Sequence, residues 1–384
     1  MRLMTKGWIA GLAIPAVGLL MAGLALPRPG VAAERVVTTQ AGPVRVASVV
    51  GGLEHPWGLA FLPDGRMLVT ERAGRLRVVD GGALSAPLGG LPEVMASGQG
   101  GLLDVALDPG FAENRLVYVC YAEPGGDGAS TAVARGRLSD AANALGNVEV
   151  IFQQTPKVSG AAHFGCRLAF SPDGKLFVTS GDRFKFDPAQ DLQSGIGKIF
   201  RINPDGSIPP DNPFVGRGDA QAAIWSYGHR NVQGAAIHPA TGALWAHEFG
   251  PRGGDELNVP EAGRNYGWPL VSWGRHYSGV DIPDPPSRPD LAGSVHSWNP
   301  AISPSGMTFY TGELFPAWRG NVLIGGLTAA GIVRLSLDGQ RVTAEERIDL
   351  DERIRNVRQG PDGAVYALTD QPDGEILRLT PSSR

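Results

Sequence analysis

The chain repeats one phrase six times: a short apolar run, a Pro-Asp-Gly turn or a variant of it, and an alternating apolar run. The clearest copies span Ala60–Thr70, Ala169–Thr179 and Gln359–Thr369, turning at Pro63-Asp64-Gly65, Pro172-Asp173-Gly174 and Pro361-Asp362-Gly363. Looser copies begin at Ala106, Ala236 and Met307. Proline presets φ for a turn and Asp-Gly supplies the left-handed residues of a tight hairpin, so each phrase predicts strand, turn, strand. Repetition at this scale points to a repeat architecture. Six four-stranded antiparallel units set radially make an all-β, six-bladed β-propeller, whose axial channel is a natural cofactor site.

Composition agrees. With 54 glycines and 31 prolines in 384 residues, the chain suits a turn-dense β domain, and no linker divides it. One propeller domain is expected over residues 34–384. Acidic and basic residues nearly balance without runs of like charge, which argues against a nucleic-acid partner. Ahead of the repeats, Arg2 and Lys6 precede an uncharged stretch, Gly7 to Leu26, and then Val31-Ala32-Ala33. This order predicts a signal peptide, residues 1–33, export to a periplasm and no stable membrane insertion after cleavage; an uncleaved anchor is the alternative. Cys120 and Cys166 sit in apolar, strand-like runs. Export permits a disulfide, but the local pattern favours two free, buried thiols.

Several catalytic signatures are missing. There is no Gly-x-Gly-x-x-Gly, no phosphate loop and no Gly-x-Ser-x-Gly elbow, and His247-Glu248 lacks the second histidine of a zinc helix. Five polar clusters stand out instead. In Ser97-Gly-Gln-Gly-Gly, glycines around Gln99 let the backbone approach a ligand. His163 opens an apolar strand, where a neutral imidazole can serve as general base; Arg167, further in, reads as a buried ion-pair partner. Arg230, Asn231 and Gln233 form a fork of donors suited to carboxylates or quinone oxygens, with a structural polar corner as the bland alternative. Asp255 and Glu256, on a Gly-rich loop after Gly250-Pro251, suit a hard cation such as Ca²⁺. Arg353 and Arg355 share one face of a strand and repel unless an anion lies between them.

Taken in order, His163-Phe-Gly-x-Arg167-Leu, Gly228-His-Arg-Asn-x-Gln-Gly234, Gly250-Pro-x-Gly-Gly-Asp-Glu256, Asn265-Tyr-Gly-Trp-Pro269 and Arg353-Ile-Arg355 resemble the soluble aldose sugar dehydrogenases that use pyrroloquinoline quinone (PQQ). The resemblance runs from about Leu53 to Leu379. It implies oxidation of the anomeric carbon of aldoses to lactones, with His163 as base, hydride passing to C5 of the quinone and Arg230 stabilising charge there. It implies PQQ contacts from Gln99, Arg230, Asn231, Arg353 and Arg355, and from Thr328, which stands where the family usually has a lysine. Gly250 and Pro251 would offer carbonyls to a catalytic Ca²⁺; Glu256 and Tyr266 match a structural Ca²⁺ site, with Asp255 and Tyr277 as further candidates. Ala162 departs from the aspartate that glucose-type members place before the histidine, so a carboxylate partner for His163 must come from elsewhere or be missing. The alternatives are a non-catalytic binding propeller and a calcium-dependent lactonase. The preferred sugar and the electron acceptor are not legible.

Overall fold

The computed structural model describes residues 34–126 and 128–382, so the expected signal peptide lies outside the described residues. Six antiparallel sheets follow one another as blades. Blade 1 comprises Pro56–Phe61, Met67–Glu71, Arg75–Asp80 and Ala83–Leu84, and blade 2 comprises Leu102–Leu107, Leu116–Gly125, Gly128–Leu138 and Leu145–Gln153. Blade 3 runs through Leu168–Phe170, Leu176–Thr179, Lys198–Ile202 and Ile224–Tyr227; blade 4 through Val232–Ile237, Leu244–Glu248, Asp255–Asn258 and His296–Trp298. Blade 5 holds Pro304–Phe309, Val322–Gly326, Gly331–Asp338 and Arg341–Asp349. Blade 6 begins with Ile354–Gln359, Val365–Thr369 and Gly374–Pro381 and is completed from the other end of the chain. There Gly42–Leu53 pairs with Gly374–Pro381, from Val44 opposite Pro381 to Leu53 opposite Gly374, and Glu34–Thr39 adds a fifth strand. Early and late strands thus share one sheet, which closes the ring.

Each of the six repeated phrases crosses from the first to the second strand of a blade. The Pro-Asp-Gly glycines, Gly65, Gly174 and Gly363, have φ of 89°, 75° and 77°, the left-handed conformation the turn demands. The loose copy of blade 2 uses a one-turn helix, Phe111–Asn114, in place of the tight turn. The first strands of successive blades pack side by side around the axis. Alternation along the strands sends side chains between neighbouring sheets: Tyr118 and Val133 of blade 2 meet Val178 and Phe200 of blade 3 in one buried cluster. Truncating Phe200 to alanine would cost about 3–5 kcal/mol. No helix among the described residues is long and apolar enough to cross a membrane.

The two cysteines correct the sequence reading. Cys120, in the second strand of blade 2, is disulfide-bonded to Cys166, just ahead of the first strand of blade 3, with Cα atoms 5.6 Å apart. Both are fully buried in the same interblade cluster. Each local pattern describes a buried hydrophobe correctly; the adjacency arises only because consecutive blades stack, which spacing along the chain does not reveal.

Candidate functional site

In an antiparallel blade, the first-to-second and third-to-fourth turns lie at one end. The second-to-third hairpins and the crossings to the next blade lie at the other. Every polar cluster of interest belongs to that second end. Gln99, His163, Arg230, Asn231 and Arg353 lie in crossings that lead into blades 2, 3, 4 and 6, and Arg355 is in the first strand of blade 6. Second-to-third hairpins bring Arg72, Asp182, Gly250, Leu327 and Asp370 to the same face.

His163 is held on every side. Its backbone has φ of 53°, and its N–H donates to Gln99 Oε1 at 2.8 Å. Arg183, stacked on Phe164, donates to the Ala162 carbonyl and braces the approach to the histidine. The imidazole stacks on Phe184 with centroids 3.8 Å apart and is only 2% exposed. Nδ1 lies 2.6 Å from Asp182 Oδ1, while Asp182 Oδ2 accepts from Trp268 Nε1 at 2.7 Å. The carboxylate therefore holds the Nδ1–H tautomer and leaves Nε2 as the basic nitrogen. Burial lowers the His163 pKa below its ordinary value; the Asp182 hydrogen bond works against that, and Arg230 reinforces it. The carboxylate that Ala162 does not supply comes from Asp182, in the second-to-third hairpin of blade 3.

Beside this pair lies a cavity of about 210 Å³, lined by Trp57, Arg72, Gln99, Asn231, Gln233, Leu327, Arg353, Arg355 and Asp370, among others. The repulsion expected between Arg353 and Arg355 is relieved within the protein: Asp370 Oδ2 accepts from both, at 3.3 and 2.8 Å. Burial would raise the Asp370 pKa, but the two arginines and His55 outweigh it and hold the carboxyl well below the usual range. Donors remain unpaired among the described residues: Arg355 Nε, Asn231 Nδ2 and Arg230 Nε are buried without partners. Buried orphans of this kind are costly unless a ligand accepts from them, so the residues present fit an anionic, oxygen-rich ligand. Thr328 stands apart. It does not line the cavity, and its hydroxyl bonds the Ala301 carbonyl and Ser303 Oγ instead.

Arg230, the neighbour of cavity-lining Asn231, itself lines two further spaces. Its Nη1 donates to the carbonyls of Phe249 and Gly250, its Nη2 to the Tyr277 hydroxyl, and its guanidinium lies 5.2 Å from the Trp268 ring centre. On one side is a space of only about 10 Å³, lined by Glu248, Gly250, Glu256 and Tyr266, close to the size that admits a single small occupant. Burial and the neighbouring Glu248 push the Glu256 carboxyl up to about 8, since two acids close together disfavour each other's charge. Glu256 and Tyr266 are thus brought together, and their chemistry fits a hard cation. Asp255 is not with them: strand alternation turns it away, and it accepts from the N–H groups of Gly250, Ile302 and Ser303. Pro251 and Tyr277 instead line a larger pocket of about 380 Å³ with Phe186, His276 and Val280.

Comparison with known proteins places this arrangement in a lineage. The family model described as Glucose / Sorbosone dehydrogenase matches residues 53–378. The chain belongs to this family. Like the dehydrogenases it matches, it is an oxidoreductase. It is 47% identical over 346 residues to an aldose sugar dehydrogenase, YliI, of Escherichia coli, covering 88% of this chain and 93% of that one. It also superposes on the crystal structure of the soluble aldose sugar dehydrogenase from Escherichia coli in its apo form with a TM-score of 0.85, at 45% identity, covering 88% of this chain and 100% of the other. A PQQ-bound aldose sugar dehydrogenase from Streptomyces coelicolor gives a TM-score of 0.72 at 31% identity, covering 91% and 98%.

Within this family frame, sequence reasoning missed Asp182 and Asp370 as members of the site. A signal for them existed. Counting nine residues from the turn proline in the repeats of blades 1, 3, 4 and 6 reaches Arg72, Gly181 (one short of Asp182), Glu248 and Asp370, all at this same end. The repeat phase gives the address of these residues even though no motif marks them.

Proposed function

We propose that this protein oxidises the anomeric carbon of aldoses to lactones in a periplasm, using PQQ and Ca²⁺. The observation that carries the reading is the His163–Asp182 pair opening beside a cationic cavity with unpaired buried donors. When bound, the quinone supplies a two-electron hydride acceptor and the calcium ion supplies Lewis acidity beside it. His163 Nε2 takes the proton from the anomeric hydroxyl. Asp182 orients the imidazole through Nδ1 and stabilises the imidazolium as it forms. Arg230 places positive charge where negative charge develops, between the cation site and the open pocket. Gln99, Asn231, Arg353 and Arg355 would hold the cofactor's carboxylates and quinone oxygens. Glu256 and Tyr266 would hold one calcium ion, and the carbonyls of Gly250 and Pro251 the catalytic one. Export is supported by the Cys120–Cys166 disulfide, a bond that persists in oxidising compartments.

Reconstitution tests the reading. Purified protein lacking residues 1–33 is mixed with PQQ and Ca²⁺, and dye reduction is followed with a panel of aldoses. Turnover that needs both additions is expected. Absence of turnover, with no spectral change as quinone is titrated in, would replace this reading with a binding propeller.

A further inference from the structure

The cavity beside His163 holds three guanidinium groups, from Arg72, Arg353 and Arg355, against one carboxylate, Asp370. Arg353 and Arg355 are both engaged by that carboxylate. Arg72 is not: among the described residues its guanidinium makes no hydrogen bond and no ion pair. The acid next to it in sequence is unavailable, because Glu71 is buried and held by Arg75 and Arg77. The position of Arg72 is nevertheless built. Its N–H donates to the His55 carbonyl and its own carbonyl accepts from Leu102, both at 3.2 Å. Gly101, from the Gly-rich cluster around Gln99, closes directly on it: a Cβ there would fall 2.1 Å from the Arg72 carbonyl and 2.4 Å from its Cγ. Glycine at 101 is what allows the crossing into blade 2 and the hairpin of blade 1 to meet at the cavity wall. Arg72 is also near enough to Arg355 for its charge to disfavour protonation there. A third cation held beside two others, with no counter-charge of its own, is unfavourable until an anion arrives.

We propose that Arg72 is a third carboxylate-binding cation of this cavity, and that it contacts a carboxylate of the bound quinone. The proposal rests on the quinone reading above. Arg72 belongs to the second-to-third hairpin of blade 1, so the cavity would grip its ligand from blade 1 as well as from blade 6. With Asp370 counted, the excess of two positive charges calls for a ligand with more than one carboxylate.

The test is an absorbance titration of PQQ into the cofactor-free protein with Ca²⁺ present, comparing wild type with Arg72→Gln, Arg72→Lys and Arg355→Gln. Thermal melting of each cofactor-free variant is recorded alongside. Arg72→Gln is expected to raise the dissociation constant by about ten- to a hundred-fold, as loss of a charge-assisted hydrogen bond does, with little change in melting. Arg72→Lys is expected to recover much of that affinity. Arg72→Gln titrating like wild type while Arg355→Gln binds weakly would overturn the assignment and leave the quinone reading intact. Lysine proving no better than glutamine would overturn the charge argument. Wild type taking up no quinone at all would overturn both readings.

Discussion

The two ends of the propeller carry the same strands but solve different problems. At the Pro-Asp-Gly end, each turn settles its own charges locally: Asp64 pairs with Arg66, Asp173 with Arg201, and Asp362 with Arg378 in the neighbouring strands. At the other end, groups from all six blades converge, and Arg230, Asn231 and Arg355 keep buried atoms without partners. One end is a set of hairpins that pair their charges locally, although Trp318 Nε1 there is also a buried donor without a partner. The other is incomplete by construction, as a surface must be if a ligand is to complete it. The contrast teaches that the most visible repeat in a sequence can mark the end opposite the candidate site.

The largest effect expected from testing this contrast is at Asp182. Asp182→Asn should lower kcat on the order of 10²–10⁴-fold, because Nδ1 loses its acceptor and Nε2 its fixed basic role. Quinone titration should be nearly unchanged, since Asp182 does not line the cationic cavity. A variant that kept its rate would remove the general-base assignment. The pH profile sharpens the same point. The His163 pKa lies below its ordinary value of 6.5, so the base form persists as pH falls past 6.5 and the acid limb should appear only lower. The stability linked to this residue has the same sign: it is full above about 6.5 and is lost as pH falls through the folded-state value. An acid limb centred above 6.5 would contradict the buried, neutral imidazole.

The disulfide comes next. Cys120 and Cys166 are 46 residues apart, and replacing both with alanine should reduce unfolding free energy by about 2–4 kcal/mol in urea titrations. Because Cys166 lies three residues from His163, activity should fall at temperatures where the mean structure still holds. Equal stability of the variant and wild type would show that the rest of the interblade cluster, and not the bond, holds blades 2 and 3 together.

What was legible in the sequence follows the same division. The hairpins are local, so the six turns and the blade count could be read from residues adjacent in the chain, whereas the closure of blade 6 by Gly42–Leu53 could not. Gln99, His163, Arg230, Asn231, Arg353 and Arg355 were legible as candidates because each stands in a polar cluster at a strand opening, and the structure brings them to one face. Partner choice was not legible. His163 finds Asp182 in the second-to-third hairpin of blade 3, Arg353 and Arg355 find Asp370 across their own blade, and Cys120 finds Cys166 across a blade interface. These pairings depend on how strand ends stack in space. Thr328 and Tyr277 are the converse case: Thr328, which the resemblance placed at the quinone, bonds Ser303 Oγ outside the cavity lining, and Tyr277, a calcium candidate, lines the pocket beside Arg230.

The smallest expected effect is also the one that most directly tests whether the two ends are independent. Asp362 and Asp370 flank the same strand, Val365–Thr369, one at the turn end and one at the functional end. Asp362 holds Arg378 at 2.7 Å and accepts from the Tyr366 hydroxyl, in a setting open enough to water that the network contributes little. Asp362→Ala should therefore lower stability by at most about 1 kcal/mol. Its kcat, its KM for sugar and its quinone affinity should all match wild type. If quinone affinity fell instead, the strand would be transmitting the loss of one carboxylate to the other, by shifting Asp370 against Arg353 and Arg355. The two ends would then be a coupled pair, and the hairpin repeat would be part of how the cationic cavity keeps its shape.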